Sequence, residues 1–372
     1  SLLCLLDLSK CFDVIDHSKL ILKLQLHGVD TAWFEAYLQN HTQSVSFTDV
    51  SGNRQISTAL PNNMGVFQGS ALGPLLYTIF SNDLSLFVPG ATVVQYADDT
   101  QVLVCGNKTD LTDLTKRMEQ ALSSLDLWFR ANSLKVNPDK TQLIVFGSRQ
   151  NLRNMTPLGV KFRERTIIPV SEVKNLGVTF DRHLSWDAHV QEISQKCFGI
   201  LIGLSHIRHY LPAEILPTIV AALVLSRVRY CLSVYGNGTR KNLARIQKVI
   251  NFAARVVSGR RRFSQSADVR AALGWLDAED LFKYHTLALL HKIRVYHAPV
   301  SISSSILTNR EARVRTTRQD GDLRLPSVRT EAGRRRFLYR GPMWYNALPA
   351  DMPNMSVRRF TATLKQMLLT EE

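Results

Sequence analysis

The sequence predicts an α+β fold, an antiparallel sheet with packed helices, followed by a mainly helical second half. A short apolar run at Leu2–Leu6 ends in Asp7, which is typical of a buried strand whose end opens on a cleft. Two β-rich runs, Thr92–Tyr96 and Gln101–Cys105, flank a polar turn and indicate a hairpin. After Trp186 apolar residues recur at helical spacing, so we expect helices there.

The other elements of the first half follow from apolar spacing and turn residues. Residues 17–40 have helical spacing with a break at Gly28. Residues 43–47 and 55–59 alternate as strands do, and residues 70–86 return to helical spacing. The pattern then predicts a helix over 111–132, a strand over 143–146 and a hairpin over 173–180.

In the second half, two apolar helix faces stand out. Their residues are His189, Ile193, Cys197, Leu201 and Leu204 in one, and Leu243, Ile246, Val249, Ile250, Ala253 and Val257 in the other. Residues 299–335 are rich in Ser, Thr and Arg and weakly periodic, so we expect an exposed loop or partial disorder. An apolar tail, residues 337–368, follows.

The charge is distributed unevenly. The net charge is +15, yet residues 1–190 hold 17 Lys and Arg against 18 Asp and Glu, whereas residues 191–372 hold 29 against 13. This asymmetry favours a first half that carries the functional site and a second half that binds the phosphate backbone of a nucleic acid. A basic surface with no partner is the alternative.

Two classes of protein are disfavoured by composition. No stretch reaches the roughly 18 apolar residues of a membrane span, so we expect no membrane partner. The five cysteines are widely spaced, with no Cys-x-x-Cys pair, which disfavours a disulfide framework or a zinc site. We expect free thiols in a reducing compartment and an intracellular protein, cytoplasmic or nuclear.

Three acids are the first candidates for chemistry. Asp7 ends one predicted strand, and Asp98 and Asp99 lie at a hairpin tip, so they can converge on one point. Crowded carboxylates repel each other unless cations bind between them, and such oxygen ligands suit Mg²⁺. Two ions roughly 3.5–4 Å apart can drive an in-line displacement at phosphorus. An Asp-Asp pair alone is equally typical of a turn.

Five segments place these acids in a family context. Leu5–Asp13 resembles motif A of reverse transcriptases, and Gly65–Leu76 resembles motif B. Tyr96-Ala97-Asp98-Asp99 is similar to motif C, Asn137–Thr141 to motif D, and Leu176-Gly177 to motif E. The five motifs stand in the family's order over about half the chain. They resemble most the reverse transcriptases of non-LTR (LINE-like, jockey-like) retrotransposons.

The resemblance implies a fold and a reaction. It implies a polymerase palm over residues 1–150, a connecting hairpin region over 151–186, a helical, basic, thumb-like region over 187–298 and a loop-rich basic C-terminal extension over 299–372. The implied reaction adds dNTPs to a DNA primer 3′-end on an RNA template with two Mg²⁺ ions, for which Mn²⁺ can substitute. The oligomeric state is left open.

The resemblance also implies roles for single residues. Asp7 and Asp98 would be the principal metal ligands and Asp99 the third acid. Phe12 would lie under the sugar and exclude a 2′-hydroxyl, with a plain core aromatic as the alternative. The remaining implied site residues are Gln68, Gly69 and Tyr96 at the template and nucleotide, Lys140 at the triphosphate as a proton donor to pyrophosphate, and Lys241, Arg245, Lys248 and Arg255 on the nucleic-acid backbone.

Alternatives to an active enzyme remain open at this stage. The chain starts at motif A, so we expect a fragment truncated at its N-terminus, without the fingers that precede this motif in the family, which polymerises poorly by itself. A catalytically silent nucleic-acid-binding remnant of a retrotransposon is the second hypothesis. An RNA-dependent RNA polymerase is the third, and Phe12 and the Tyr-Ala-Asp-Asp hairpin disfavour it. Asp13 and Asp16 are expected to be structural or helix N-terminal acids.

Overall fold

The computed structural model describes residues 1–106, 111–153, 158–261, 264–312 and 321–370. The chain divides between Val173 and Lys174 into two units, each with its own core. The finer division into four segments that the sequence suggested stays a prediction.

The first unit is built on a four-stranded antiparallel sheet. Its strands lie in the order β6-β7-β1-β8, so β1 is central and β6 is at an edge. The elements of this unit are β1 (Leu2–Ser9), α1 (His17–Leu26), α2 (Ala32–Leu38), β2 (Thr42–Gln43), β3 (Ser46–Thr48), β4 (Arg54–Ile56), β5 (Leu60–Pro61), α3 (Gly73–Ser81), β6 (Thr92–Tyr96), β7 (Asp99–Val104), α4 (Leu111–Ala131), β8 (Lys135–Val145), α5 (Arg149–Leu152), β9 (Val160–Phe162) and β10 (Arg165–Ile167).

Most of these elements lie where the sequence predicted them. The apolar run of β1 is buried on both faces, as expected of a central strand. The break between α1 and α2 falls at Gly28, whose φ of +73° favours glycine. Along α4 the apolar face is buried and includes Leu114, Met118 and Phe129. The sheet and these helices confirm a mixed fold with an antiparallel sheet.

Four predicted elements differ in extent. The strands expected at 43–47 and 55–59 are broken into four short, exposed pieces, β2 to β5. The helix expected over 70–86 ends at Ser81 and is followed by a 3₁₀ turn. The strand expected over 143–146 begins at Lys135, because β8 continues across a bulge that contains Pro138, a residue that argues against a strand when only the sequence is known.

The second unit is mainly helical, as predicted. A hairpin of β11 (Glu172–Asn175) and β12 (Val178–Asp181) begins at the boundary. The helices are α6 (Asp187–Ile207), α7 (Leu216–Val220), α8 (Ser226–Arg229), α9 (Leu232–Tyr235), α10 (Arg240–Ser258), α11 (Ala267–Ala272), α12 (Ala278–Tyr296), α13 (Val300–Ser303), α14 (Asn309–Ala312), α15 (Glu331–Arg334), α16 (Phe337–Asn346) and α17 (Val357–Thr370). Between α7 and α8 the helix is a π-helix over Ala221–Leu225.

The predicted faces of α6 and α10 pack into the core of this unit. Residues 299–335 are more ordered than predicted, although 313–320 lie outside the described part. Leu323 is buried there, because the side chain of Asn346 bonds both its amide and its carbonyl at 2.9 Å. All five cysteines are free. None of the helices built from the described residues is long and apolar enough to cross a membrane.

Candidate active site

The sheet brings the three predicted acids together. β1 pairs with β7 so that Leu6 lies opposite Thr100, which places Asp7 beside Asp99. Tyr96 pairs with Asp99 across the hairpin of β6 and β7, so that only two residues form its turn. The first of them, Ala97, has a φ of +51°. Strand pairing therefore positions all three carboxylates at one end of the sheet.

The acids influence each other electrostatically. Burial raises the pKa of Asp99 above its ordinary value of 3.8, and the negative charges of Asp98 and Asp7 raise it further. Burial, with the charge of Asp98 as a second cause, also raises the pKa of the Cys11 thiol to about 11. A group of carboxylates that repel one another is the donor set that a hard cation stabilises.

The donor chemistry fits Mg²⁺, but the side chains are not preformed around an ion. Over the described ranges, no three His, Cys, Asp or Glu side chains are arranged as metal ligands. The carboxylate of Asp7 instead has an ammonium neighbour, since its Oδ2 lies 3.5 Å from Nζ of Lys140. Binding of an ion would require these side chains to turn towards it.

A bulge in β8 delivers Lys140 to this position. Leu5 lies opposite Gln142 and Asp7 opposite Asn137, so that four residues of β8 face one residue of β1. Asn137 braces the bulge, because its side chain accepts from the Asp139 amide at 3.1 Å and its carbonyl from the Thr141 hydroxyl at 3.0 Å. Asp139 in turn forms an ion pair with Arg165 of β10. The segment Asn137–Thr141, whose resemblance to motif D suggested a role for Lys140, therefore forms this bulge.

Phe12 lies against a second aromatic ring. Its ring stacks on Tyr77 of α3 with 4.7 Å between centroids and 29° between planes. Tyr77 is 1% exposed, so Phe12 cannot be displaced towards the core without moving α3. This contact could not be predicted from the sequence, because Tyr77 has the helical spacing of a simple core residue.

The segment between β5 and α3 packs onto the loop after β1. Gly65 donates to the Ile15 carbonyl at 2.7 Å, and Val66 donates to the Phe12 carbonyl at 2.8 Å. A Cβ on Gly65 would lie 2.7 Å from the carbonyl oxygen of Asp13, so only glycine fits here. The two segments that resemble motifs A and B are therefore joined through their backbones.

Two more residues of this segment were predicted as site residues. Gln68 is exposed, and its side-chain amide donates to Oδ1 of Asp13 at 2.8 Å. Gly69 has a φ of +82°, and a Cβ there would meet open space. Asp13 is thus the partner that orients Gln68, while Asp16 caps α1 by accepting from the Lys19 amide at 3.1 Å. Both acids have the structural roles expected from the sequence.

The predicted backbone-binding cations lie in the second unit. All four are on α10, where Lys241 and Lys248 are exposed and Arg245 and Arg255 are half-buried. They therefore belong to a different unit from the acids, and their role stays a prediction. Trp275, Tyr284 and Trp344 pack in or against the core of this unit.

Comparison with known proteins places the acid-bearing unit in a family. Residues 1–180 match the family model described as reverse transcriptase (RNA-dependent DNA polymerase). The chain is 26% identical to the probable RNA-directed DNA polymerase from transposon BS of Drosophila melanogaster, over 79% of this chain and 33% of that protein. It is 24% identical to the RNA-directed DNA polymerase from mobile element jockey of the same species, over 84% of this chain and 35% of the relative.

The chain thus spans about a third of the length of the curated relatives it matches. Among solved structures, the apo telomerase of Candida tropicalis is similar at 11% identity and a TM-score of 0.31, with 82% of this chain and 52% of that chain covered. That score is too low to support statements about individual residues. Residues 1–180 thus match the reverse transcriptase family, and this match and the mobile-element relatives together support a reverse transcriptase of a non-LTR retrotransposon.

Proposed function

We propose that this chain carries the polymerase centre of a mobile-element reverse transcriptase, which adds dNTPs to a primer 3′-end on an RNA template. The observation that carries the proposal is the convergence of Asp7, Asp98 and Asp99, of which Asp99 has a pKa raised by burial and by the other two charges. The four-stranded unit would be the palm, and the helical unit would include the thumb.

The three carboxylates would hold the Mg²⁺ ions. When bound, two such ions activate the 3′-hydroxyl and neutralise charge on the departing pyrophosphate. Lys140 forms an ion pair with Asp7 of this centre, and its side chain is 68% exposed, so it can exchange its contact with Asp7 for one with a triphosphate oxygen. From there it can donate a proton to the leaving group.

Phe12 would select the sugar. A ring backed at 4.7 Å by a buried tyrosine presents a stiff surface, which leaves no room for a 2′-hydroxyl. Gln68 would contact the template or nucleotide in the orientation fixed by Asp13, and the open space beside Gly69 would permit a close backbone approach. Tyr96, 64% exposed, would present its ring to the nucleic acid beside the acids.

The test separates metal binding from synthesis. Mn²⁺ binding, followed by electron paramagnetic resonance, is measured on the 372-residue chain, on Asp98→Asn and on Asp30→Asn, a matched change at an exposed aspartate before α2. We expect Mn²⁺ binding that weakens in Asp98→Asn and is unchanged in Asp30→Asn. Wild-type protein that binds no Mn²⁺ would contradict the proposed centre.

Primer extension on an RNA template, measured with the fingers segment restored before motif A, then distinguishes the candidate activities. A reverse transcriptase incorporates dNTPs in preference to rNTPs, and Asp98→Asn abolishes the incorporation. Nucleic-acid binding that survives Asp98→Asn, with no synthesis by either protein, would instead support the silent remnant. Preferential incorporation of rNTPs would support an RNA-dependent RNA polymerase.

A further inference from the structure

An open groove of about 1030 Å³ lies on the second unit. Its walls are α6 with the 3₁₀ turn that follows it, and the C-terminal half of α10. The volume exceeds the roughly 300–1,000 Å³ typical of a pocket for one drug-sized ligand, so the groove can take more than one nucleotide. The residues that the argument uses are Phe198, Ser205, Arg208, Lys248, Phe252 and Arg260.

Among the described residues, the charged side chains that line the groove are all positive. Arg208, Lys248, Arg255 and Arg260 line it, and no described Asp or Glu does. Arg260 forms an ion pair with Asp268, whereas Arg208 and Lys248 form no ion pair within the described ranges. A concave surface of this charge attracts an anionic chain.

Arg208 lies beside a glycine at the groove. Its guanidinium lies against Gly259, where a Cβ would come within 2.5 Å of three of its atoms. Gly259 has a φ of +71° and ends α10, so the guanidinium also lies near the negative end of that helix. The absence of a side chain at Gly259 therefore leaves room for this cation at the end of α10.

Two aromatic rings lie among these cations. Phe198 of α6 and Phe252 of α10 have their centroids 5.9 Å apart and their planes tilted by 34°. Both pack against the core and remain half-exposed, so each presents part of a ring to the groove. Aromatic faces inside a basic groove are the combination that binds unpaired bases, since every base can stack while the cations hold its phosphates.

We propose that this groove binds a single-stranded stretch of RNA. The identity of the polymer rests on the proposed function, whereas the groove is a second site, separate from the carboxylates of the first unit. A duplex is disfavoured because its bases already stack on each other. RNA is favoured over DNA by the Ser205 hydroxyl. This hydroxyl donates its hydrogen to the Ile202 carbonyl at 2.7 Å, so the Ser205 oxygen can accept a hydrogen bond from a 2′-hydroxyl, which DNA lacks.

Binding of a fluorescent ten-nucleotide RNA to the full chain tests the proposal. Phe252→Leu keeps an apolar side chain but removes the ring, and we expect it to weaken binding about fivefold or more. Lys248→Gln is expected to lower the slope of log affinity against log salt by about 0.7, the value for one phosphate contact with a single strand. Phe252→Leu should leave that slope unchanged.

Matched control variants distinguish a loss of folding from a loss of RNA binding. Phe337→Leu makes the same change at an aromatic of the same core, and Lys292→Gln makes the same change at an exposed lysine outside the groove. Equal losses in Phe252→Leu and Phe337→Leu would overturn the proposal, as would equal slopes in the two lysine variants.

Alternative probes complete the test. We expect DNA of the same sequence and the corresponding RNA duplex to bind more weakly than the single-stranded RNA. Tighter binding of either would overturn the assignment to single-stranded RNA. RNA binding is measured in EDTA, which keeps metal from the acid centre, so that failure of the groove and failure of the acid centre give different results.

Discussion

Replacement of Gly65 by alanine should break the junction between the loop after β1 and the segment before α3. The new Cβ would lie 2.7 Å from the carbonyl oxygen of Asp13 and 2.9 Å from its carbonyl carbon and Cα. These are backbone atoms, so the clash cannot be relieved by rotation of a side chain. The loop that carries Phe12 and Asp13 must move.

The expected cost has two parts. A positive φ, here +83°, costs an alanine about 1–2 kcal/mol. Overpacking typically costs a further ~1–3 kcal/mol. We therefore expect Gly65→Ala to lower the free energy of unfolding of the first unit by about 2–5 kcal/mol.

Gly28→Ala is the matched control. Gly28 also has a positive φ, of +73°, but a Cβ there would meet nothing within 4 Å. It should cost only the backbone part, about 1–2 kcal/mol. Hydrogen exchange in urea, measured by mass spectrometry on peptides of the first unit, reports this unit separately from the second. Equal costs in the two variants, or unchanged exchange around Asp13 in Gly65→Ala, would refute the reasoning.

Three further predictions concern charge and sugar selection. Burial and, after it, the charges of Asp98 and Asp7 raise the pKa of Asp99, so its ionised form destabilises the fold. Asp99→Asn should therefore raise the melting temperature at neutral pH without divalent ions. The gain should shrink as the pH falls through the raised pKa and vanish below about 3.8. A stabilisation that is the same at all pH values would contradict this explanation. Phe12→Val should raise the ratio of rNTP to dNTP incorporation by about tenfold, measured by primer extension, and an unchanged ratio would mean that Phe12 is only a core residue. Lys196 at 2.6 Å and Lys174 at 3.3 Å lower the pKa of Glu192 to about 2. Glu192→Gln should therefore destabilise the protein above about pH 4.5, and this destabilisation should disappear as the pH falls towards 2. A destabilisation that persists near pH 2 would indicate a packing effect.

The sequence predicted the main elements of both units because their signals are local. The apolar run that ends in Asp7, the hairpin with Asp98 and the face of α4 each arise from spacing within a short segment. Cap chemistry is local too, and Asp16 was correctly expected to be a structural acid. Signals of this kind fail where a strand contains a proline, as in β8.

The contacts that complete the two candidate sites could not be predicted in this way. Phe12 and Tyr77 are 65 positions apart, and each reads as an ordinary apolar residue in its own segment. The ion pair of Lys140 with Asp7 depends on a bulge that exists only once β1 and β8 are paired. Likewise the RNA groove joins residues of α6 and α10 that follow no common motif.

The sequence by itself therefore determined the kinds of residue at the centre, their order and the family that they resemble. The tertiary structure decided which of them meet, because strand register, a bulge and close backbone packing at Gly65 act between distant segments. Carboxylates acquire a shifted pKa, and cations a shared groove, only when folding brings their charges within range of one another.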